Sequence, residues 1–192
     1  MEYSSRQKAW EVISGWMNHN MSLYWINKLQ REISWQRPVV KIFGKKHIVP
    51  RKTSFLAEKG ISYRYSGYTH YGIGWPIWFL PLLELVQQET SIEFNGCLLN
   101  LYRSGNDHMG WHSDAEKELD KSKAIASLSL GSERDLLLKN KKLGLKEKLS
   151  LSNGDLLIMH PACQDNWLHS LPKRRNITGL RINLTFRKYL RD

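Results

Sequence analysis

Apolar positions divide the chain into a helical front, a stretch of short hairpins and a long β-rich remainder. Residues 5–32 place Trp10, Ile13 and Met17, then Leu23, Ile26 and Leu29, at three- and four-residue spacings, which predicts helix with a break at Asn18–Asn20. "PVVKIFGKKHIVPRK" follows as two short β-type runs pinched at Gly44 and closed by Pro50, the pattern of a hairpin with a basic turn. An aromatic, polar stretch runs from Ile61 to Tyr71. Pro76 then opens a second predicted helix through "IWFLPLLELVQQE", with Leu82, Leu83 and Val86 on one face.

Beyond that helix the period changes. "CLLNLY", "AIASLSLG", "RDLLLKN", "LSLSNGDLLIMH" and "TGLRINLTFRKY" are short runs separated by Gly, Asn, Ser and Lys, which predicts a mostly β fold with flanking helices, an antiparallel sandwich or jelly roll. With 192 residues the chain suits one domain. It shows no internal repeat, and its charge run is "KNKKLGLKEK", residues 139–148.

Composition narrows the partners. Hydrophobic residues make up 41%, with 8 Trp and 8 Tyr, so the chain is expected to fold. A net charge of +11 suits a polyanion, and nucleic acid is the first expectation. No membrane partner is expected: "WPIWFLPLLELV" is too short to span and holds two prolines, and no segment reads as an interfacial helix. Cys97 and Cys163 have neither disulfide nor zinc spacing, and the N-terminus lacks the pattern of a signal peptide. A reducing intracellular setting, in which ferrous iron persists, is the expectation, with the protein acting as a monomer without an obligate protein partner.

The last β-type run carries the chemistry. Alternation in "RINLTFRK" puts Ile182, Leu184 and Phe186 on one face and Arg181, Asn183, Thr185 and Arg187 on the other. A solvated face explains such a row equally well. Inside a sandwich the same row forms a pocket for an acidic ligand, because Arg can fork onto a carboxylate. Asn100 and Tyr102 share a face in the same manner. His112 and Asp114 in "GWHSD" decide little alone, but with His169 of "NWLHSLP" they supply two imidazoles and a carboxylate. That is the facial triad of non-heme Fe(II) oxygenases, whose open positions take a 2-oxo acid and dioxygen. His108 and His160 are rival ligands, read as structural or supporting histidines.

"NLYRSGNDHMGWHSDAEKEL", "ASLSLGSERD", "WLHSLP" and "RINLTFRKY" resemble the AlkB family of Fe(II)/2-oxoglutarate dioxygenases, over roughly residues 38–189. "KIFGKKHIVPRK" and "YRYSG" look most like its branch that repairs double-stranded DNA. The resemblance implies a double-stranded β-helix (jelly-roll) core, residues 76–192 with the second helix. It also implies a finger hairpin and nucleotide-recognition lid over 38–75, with a helical extension over 1–37.

The resemblance further implies oxidative demethylation of 1-methyladenine, 3-methylcytosine and etheno adducts in DNA, duplex favoured. Fe(II), 2-oxoglutarate and O2 are required, and succinate, CO2 and formaldehyde are released. His112, Asp114 and His169 would ligate iron. Arg181, Tyr102 and Asn183 would hold the distal carboxylate of 2-oxoglutarate, Arg187 and Asn100 the metal-chelating one, and Thr185 would belong to the same set. A methylated base must be flipped out of the duplex. Tyr65 would stack on it opposite His112, standing where the branch usually has Phe, while Glu116 would read its exocyclic amino group and Tyr63 would hydrogen-bond within the lid. Phe43, between Ile42 and Gly44, would fill the gap left in the stack. Arg51, Lys45, Lys46, the lysines of 139–148 and "KRR" at 173–175 would contact phosphates. The 139–148 loop is shorter and more lysine-rich than in the branch.

An RNA demethylase of the same fold is the alternative, followed by a protein hydroxylase and a non-catalytic DNA-binding module. A nuclear location is expected in a eukaryote and the nucleoid in a bacterium.

Overall fold

A computed structural model of the chain describes residues 9–42, 45–65 and 68–191, with the backbone alone described at 40–42, 45, 46, 65 and 68. In chain order the front half forms β1 (Trp10–Ile13), α1 (His19–Glu32), β2 (Val39–Ile42), β3 (Lys45–Ile48), β4 (Lys52–Ala57), β5 (Ser62–Tyr65) and β6 (Tyr68–Tyr71). A 3-10 turn (Ile77–Phe79) runs into α2 (Leu80–Thr90). Then come β7 (Gly96–Tyr102), β8 (Met109–His112), β9 (Ile125–Gly131), β10 (Arg134–Asn140), β11 (Lys146–Leu151), β12 (Leu156–Met159), α3 (Pro161–Asn166), β13 (Trp167–Leu171) and β14 (Arg181–Arg187).

Two antiparallel sheets make the jelly roll. The larger has the order β1-β12-β9-β14-β7-β4 and the smaller β11-β10-β13-β8, while β2-β3 and β5-β6 are separate hairpins. One face of the six-stranded sheet carries Cys97, Leu99, Ala126, Leu128, Leu184 and Phe186 against Trp25 and Leu29 of α1 and Leu82, Leu83 and Val86 of α2. Its other face meets the smaller sheet, where Ile125, Leu157 and Met159 pack with Leu136, Leu138, Leu151 and Leu171. The central strands β7 and β14 are buried along their whole length on both faces.

The front of the chain corrects the helical reading. Residues 10–13 are a strand, because pairing with β12 (Trp10↔Met159 to Ile13↔Leu156) supplies a sheet edge that local periodicity cannot register. The predicted break is the true helix start: the Asn18 side chain accepts from the Met21 backbone N–H at 2.9 Å, an N-cap. Its buried stripe is Ser22, Trp25 and Leu29; Leu23, expected inside, is 49% exposed. The second helix follows expectation, with Leu82, Leu83 and Val86 buried. Among the described residues, no helix is long and apolar enough to cross a membrane.

Candidate active site

His112 closes β8, Asp114 follows two residues later, and His169 sits in β13 directly opposite His112. One ligand atom from each lies within 4.8 Å of the others. The imidazole rings are 4.2 Å apart between centroids. His112 Nδ1 lies 2.9 Å from the Gly110 carbonyl, a contact in which it donates, and Nε2 lies 3.8 Å from Asp114 Oδ1. Gln164 fixes the loop by accepting the Asp114 backbone N–H at 2.8 Å.

Charge states suit metal ligation. Burial alone would raise the Asp114 carboxyl, but the Arg187 charge, joined by His169, His112 and a hydrogen bond from Arg187, brings it down to about 2. Burial lowers His169 to about 4, which outweighs the nearby Asp114 charge, so its imidazole is neutral at neutral pH. A neutral imidazole and an ionised carboxylate are the forms that bind a cation.

Arg187 donates from Nη2 to Asp114 Oδ2 at 2.9 Å, and both side chains are buried. Its Nε and Nη1 are buried with no hydrogen-bond partner among the described residues. Arg181 is likewise buried; Nη2 donates to Ser129 Oγ at 2.8 Å, and Nε has no partner among the described residues. Burial lowers Arg181 to about 10, against the Tyr102 ring and with the like charge of Arg134. The Tyr102 ring is near both cations, 5.5 Å from the Arg181 guanidinium and 5.8 Å from that of Arg134. Buried guanidinium donors without acceptors are costly unless an anion completes them. The donor set fits a dicarboxylate whose one end lies at the metal ligands and whose other end lies at Arg181.

One cavity wall brings together Asn100, Tyr102, His112, Asp114, His169, Arg181, Asn183, Thr185 and Arg187. Three of the polar members, Asn183, Thr185 and Asn100, are already engaged. Asn183 Nδ2 donates to Ser127 Oγ and to the Leu128 carbonyl, and its Oδ1 accepts from Thr185, so this pair shapes the wall rather than offering free donors. Asn100 Oδ1 accepts from Arg51 Nε at 2.7 Å, which leaves the amino end of that amide to donate.

Arg51 lies inside. The side chain read as a phosphate contact is 4% exposed; its Nε donates to Asn100 Oδ1 and its Nη1 lies 3.5 Å from the His108 carbonyl. Arg174 of "KRR" is held by Asp135, at 2.9 Å from Nη2. His108 and His160 stay outside the ligand set; His160 lies 3.6 Å from Glu11. Tyr63 is fully buried and donates to Glu116 Oε1 at 2.9 Å, while Glu116 Oε2 is buried without a partner among the described residues. Tyr65 ends β5, with its side chain outside what is described, as is that of Ile42; Phe43 and Gly44 lie outside the described residues. Sequence reasoning missed Ser127 and Ser129, though their alternation in "AIASLSLG" marks them, and it missed Arg134 and Gln164, which carry no local signal.

A family model described as the 2OG-Fe(II) oxygenase superfamily matches residues 10–187. The DNA oxidative demethylase ALKBH2 of Arabidopsis thaliana is 36% identical over 190 residues, covering 84% of this chain and 60% of that protein. That of Homo sapiens is 38% identical over 163 residues, covering 79% of this chain and 61% of that protein. Alpha-ketoglutarate-dependent dioxygenase alkB homolog 3 of Homo sapiens is 35% identical over 153 residues, covering 74% and 53%. The chain therefore spans less than two thirds of the length of these relatives. A solved structure of OsALKBH1 superposes with a TM-score of 0.67 at 16% identity, covering 94% of this chain and 98% of that one. An oxidoreductase of the 2OG-Fe(II) oxygenase family from Burkholderia pseudomallei superposes at 0.64 and 11% identity, covering 97% and 91%. Both establish the fold.

Proposed function

The chain belongs to the 2OG-Fe(II) oxygenase superfamily, and from that premise we propose that it is a DNA repair dioxygenase that oxidatively demethylates N-alkylated bases. The lesions are 1-methyladenine, 3-methylcytosine and etheno adducts, with duplex DNA favoured. The observation that carries the catalytic reading is the row of β14, which brings two buried, incompletely paired guanidiniums into the cavity lined by His112, Asp114 and His169, Arg187 in contact with Asp114 itself. DNA as substrate is supported by the charge of +11 and by the names of the relatives.

In this reading His112, Asp114 and His169 hold Fe(II), and Arg187 keeps Asp114 ionised for that task. Arg181 and Tyr102 take the distal carboxylate of 2-oxoglutarate, while Arg187 and the free end of Asn100 face the chelating one. Bound iron supplies the activation of dioxygen, with 2-oxoglutarate giving two electrons and leaving as succinate and CO2. For the N-methyl lesions one oxygen atom would enter a C–H bond of the methyl group and the other would leave in succinate, and the hydroxymethyl product would release formaldehyde to restore the base. The protein binds, orients and excludes water. Glu116, set by Tyr63, accepts from the exocyclic amino group of a base stacked between Tyr65 and His112. Phe43, with Ile42 and Gly44 around it, fills the vacated position. Lys173 and Arg175, with the lysines of the two basic hairpins, take phosphates, while Arg51 positions Asn100. Residues 38–75 act as finger and lid over the core of 76–192, in a monomer working in the nucleus of a eukaryote or the nucleoid of a bacterium.

The test is mass spectrometry of 1-methyladenine in matched single-stranded and duplex DNA incubated with protein, Fe(II) and 2-oxoglutarate. Loss of the methyl group, fastest in the duplex, is the expected result. No loss from either form overturns the reading in favour of RNA or protein as substrate.

A further inference from the structure

The four-stranded sheet has two faces, and the site described above uses the inner one, where His112, His169, Leu136 and Leu138 look toward the larger sheet. Alternation turns the intervening residues outward, and the register assembles them. Leu137 stands opposite Ser170 on one side and Lys148 on the other; Lys139 stands opposite Leu168 and Lys146. The three lysines are exposed. Both α1 and α2 bury their apolar stripes elsewhere, behind the six-stranded sheet.

Two lysines directly opposite on neighbouring strands repel each other, and the carboxylates nearby do not relieve Lys139 and Lys146. Asp135 is held by Arg174 at 2.9 Å and reaches Lys148 only at 4.0 Å. Glu147 pairs with Leu138 and so belongs to the opposite face. A polyanion laid across the sheet would turn this repulsion into attraction.

The edge strand adds an aromatic group. His169 pairs with His112 and Leu171 with Met109, so three steps along β8 match two along β13. This bulge lets both His112 and Met109 face inward, as their places on the cavity wall require. Trp111, next in line to His112, is left facing outward and is 47% exposed. An indole at that position stands one residue from His112, which lines the cavity.

We infer that the outer face of β11, β10, β13 and β8 is a track for the DNA strand carrying the damaged base, with Lys139, Lys146 and Lys148 on phosphates and Trp111 stacked on a neighbouring base. The inference rests on the DNA reading above. Lysine–phosphate contacts and base–aromatic stacking are both indifferent to sequence, as an enzyme that meets lesions in any context requires.

The test is fluorescence anisotropy of the whole chain with short labelled single-stranded and duplex DNA across a salt series. Replacing Lys139 and Lys146 together by Ser should lower the slope of log affinity against log salt on duplex by about 0.9 per lysine, while Lys28→Ala, on α1, leaves it unchanged. Trp111→Ala should weaken binding about 10-fold with the slope kept, the loss of one stacked base, and Trp111→Phe should retain most of the affinity. DNA bound with the full wild-type slope in the double lysine variant would overturn the track while sparing the DNA reading. A wild-type chain that binds neither form of DNA would overturn both. Tighter, lysine-dependent binding to RNA of the same sequence would overturn DNA as the occupant.

Discussion

The two faces of the six-stranded sheet are equally buried and oppositely built. On the helix side β14 sends Ile182, Leu184 and Phe186 into an apolar cluster, where burial is favourable at roughly 25 cal/mol per Å². One residue along, Arg181, Asn183, Thr185 and Arg187 are 3%, 8%, 5% and 3% exposed, in the cavity between the sheets. Burial there is unfavourable for each guanidinium until an anion completes its hydrogen bonds. A single strand thus holds the fold with one face and holds a ligand with the other, so stability and function should separate at adjacent residues.

Asp114→Ala should have the largest effect on the polar side. It removes a ligand and strands the Arg187 charge, so turnover should fall to background, at least about 100-fold, with DNA affinity largely kept. Formaldehyde release and anisotropy check the two halves; unchanged turnover would remove Asp114 from the metal centre. On the apolar side Phe186→Ala should cost about 3–5 kcal/mol of stability in denaturant unfolding, as a large cavity in a packed core does. Arg181→Met should break the symmetry of the comparison: metal-free stability unchanged or higher, since a buried unpaired charge is removed, and 2-oxoglutarate affinity lost. Phe43→Ala should slow duplex repair far more than single-strand repair, and equal losses would remove the gap-filling role.

The smallest effect lies away from both faces. Burial would raise the Asp107 carboxyl, but hydrogen bonds and charge from Arg103 hold it below the ordinary aspartate value. The unfolded chain therefore binds more protons in acid, so this contribution is complete above the ordinary value and is lost as pH falls through the lowered one. Arg103→Met should flatten that part of the stability–pH curve by less than about 1 kcal/mol, because Arg103 is partly exposed.

The polar row and the His-x-Asp pair were legible in the sequence because alternation along a strand is strictly periodic, so side chains on one strand face need no tertiary knowledge. Residues 10–13 were not legible: strand pairing with β12 is supplied by residues 156–159, far along the chain, and outweighs a helical spacing. The burial of Arg51 was not legible for a related reason. A basic residue beside a basic hairpin reads as solvent-facing, yet Asn100 on the neighbouring strand draws it inward. The bulge at Gly110–Trp111 is a mismatch between two strands and leaves no mark on either one alone.

The most direct test of the central claim is a titration of 2-oxoglutarate into Mn(II)-loaded protein, wild type beside Arg181→Met, read by heat and by the shift in melting temperature. The account predicts one saturable site in the wild type, with stabilisation of about 2.7 kcal/mol at a hundredfold excess over the dissociation constant. It predicts no such shift in a variant that is folded and at least as stable without ligand. Equal binding by both proteins would contradict it.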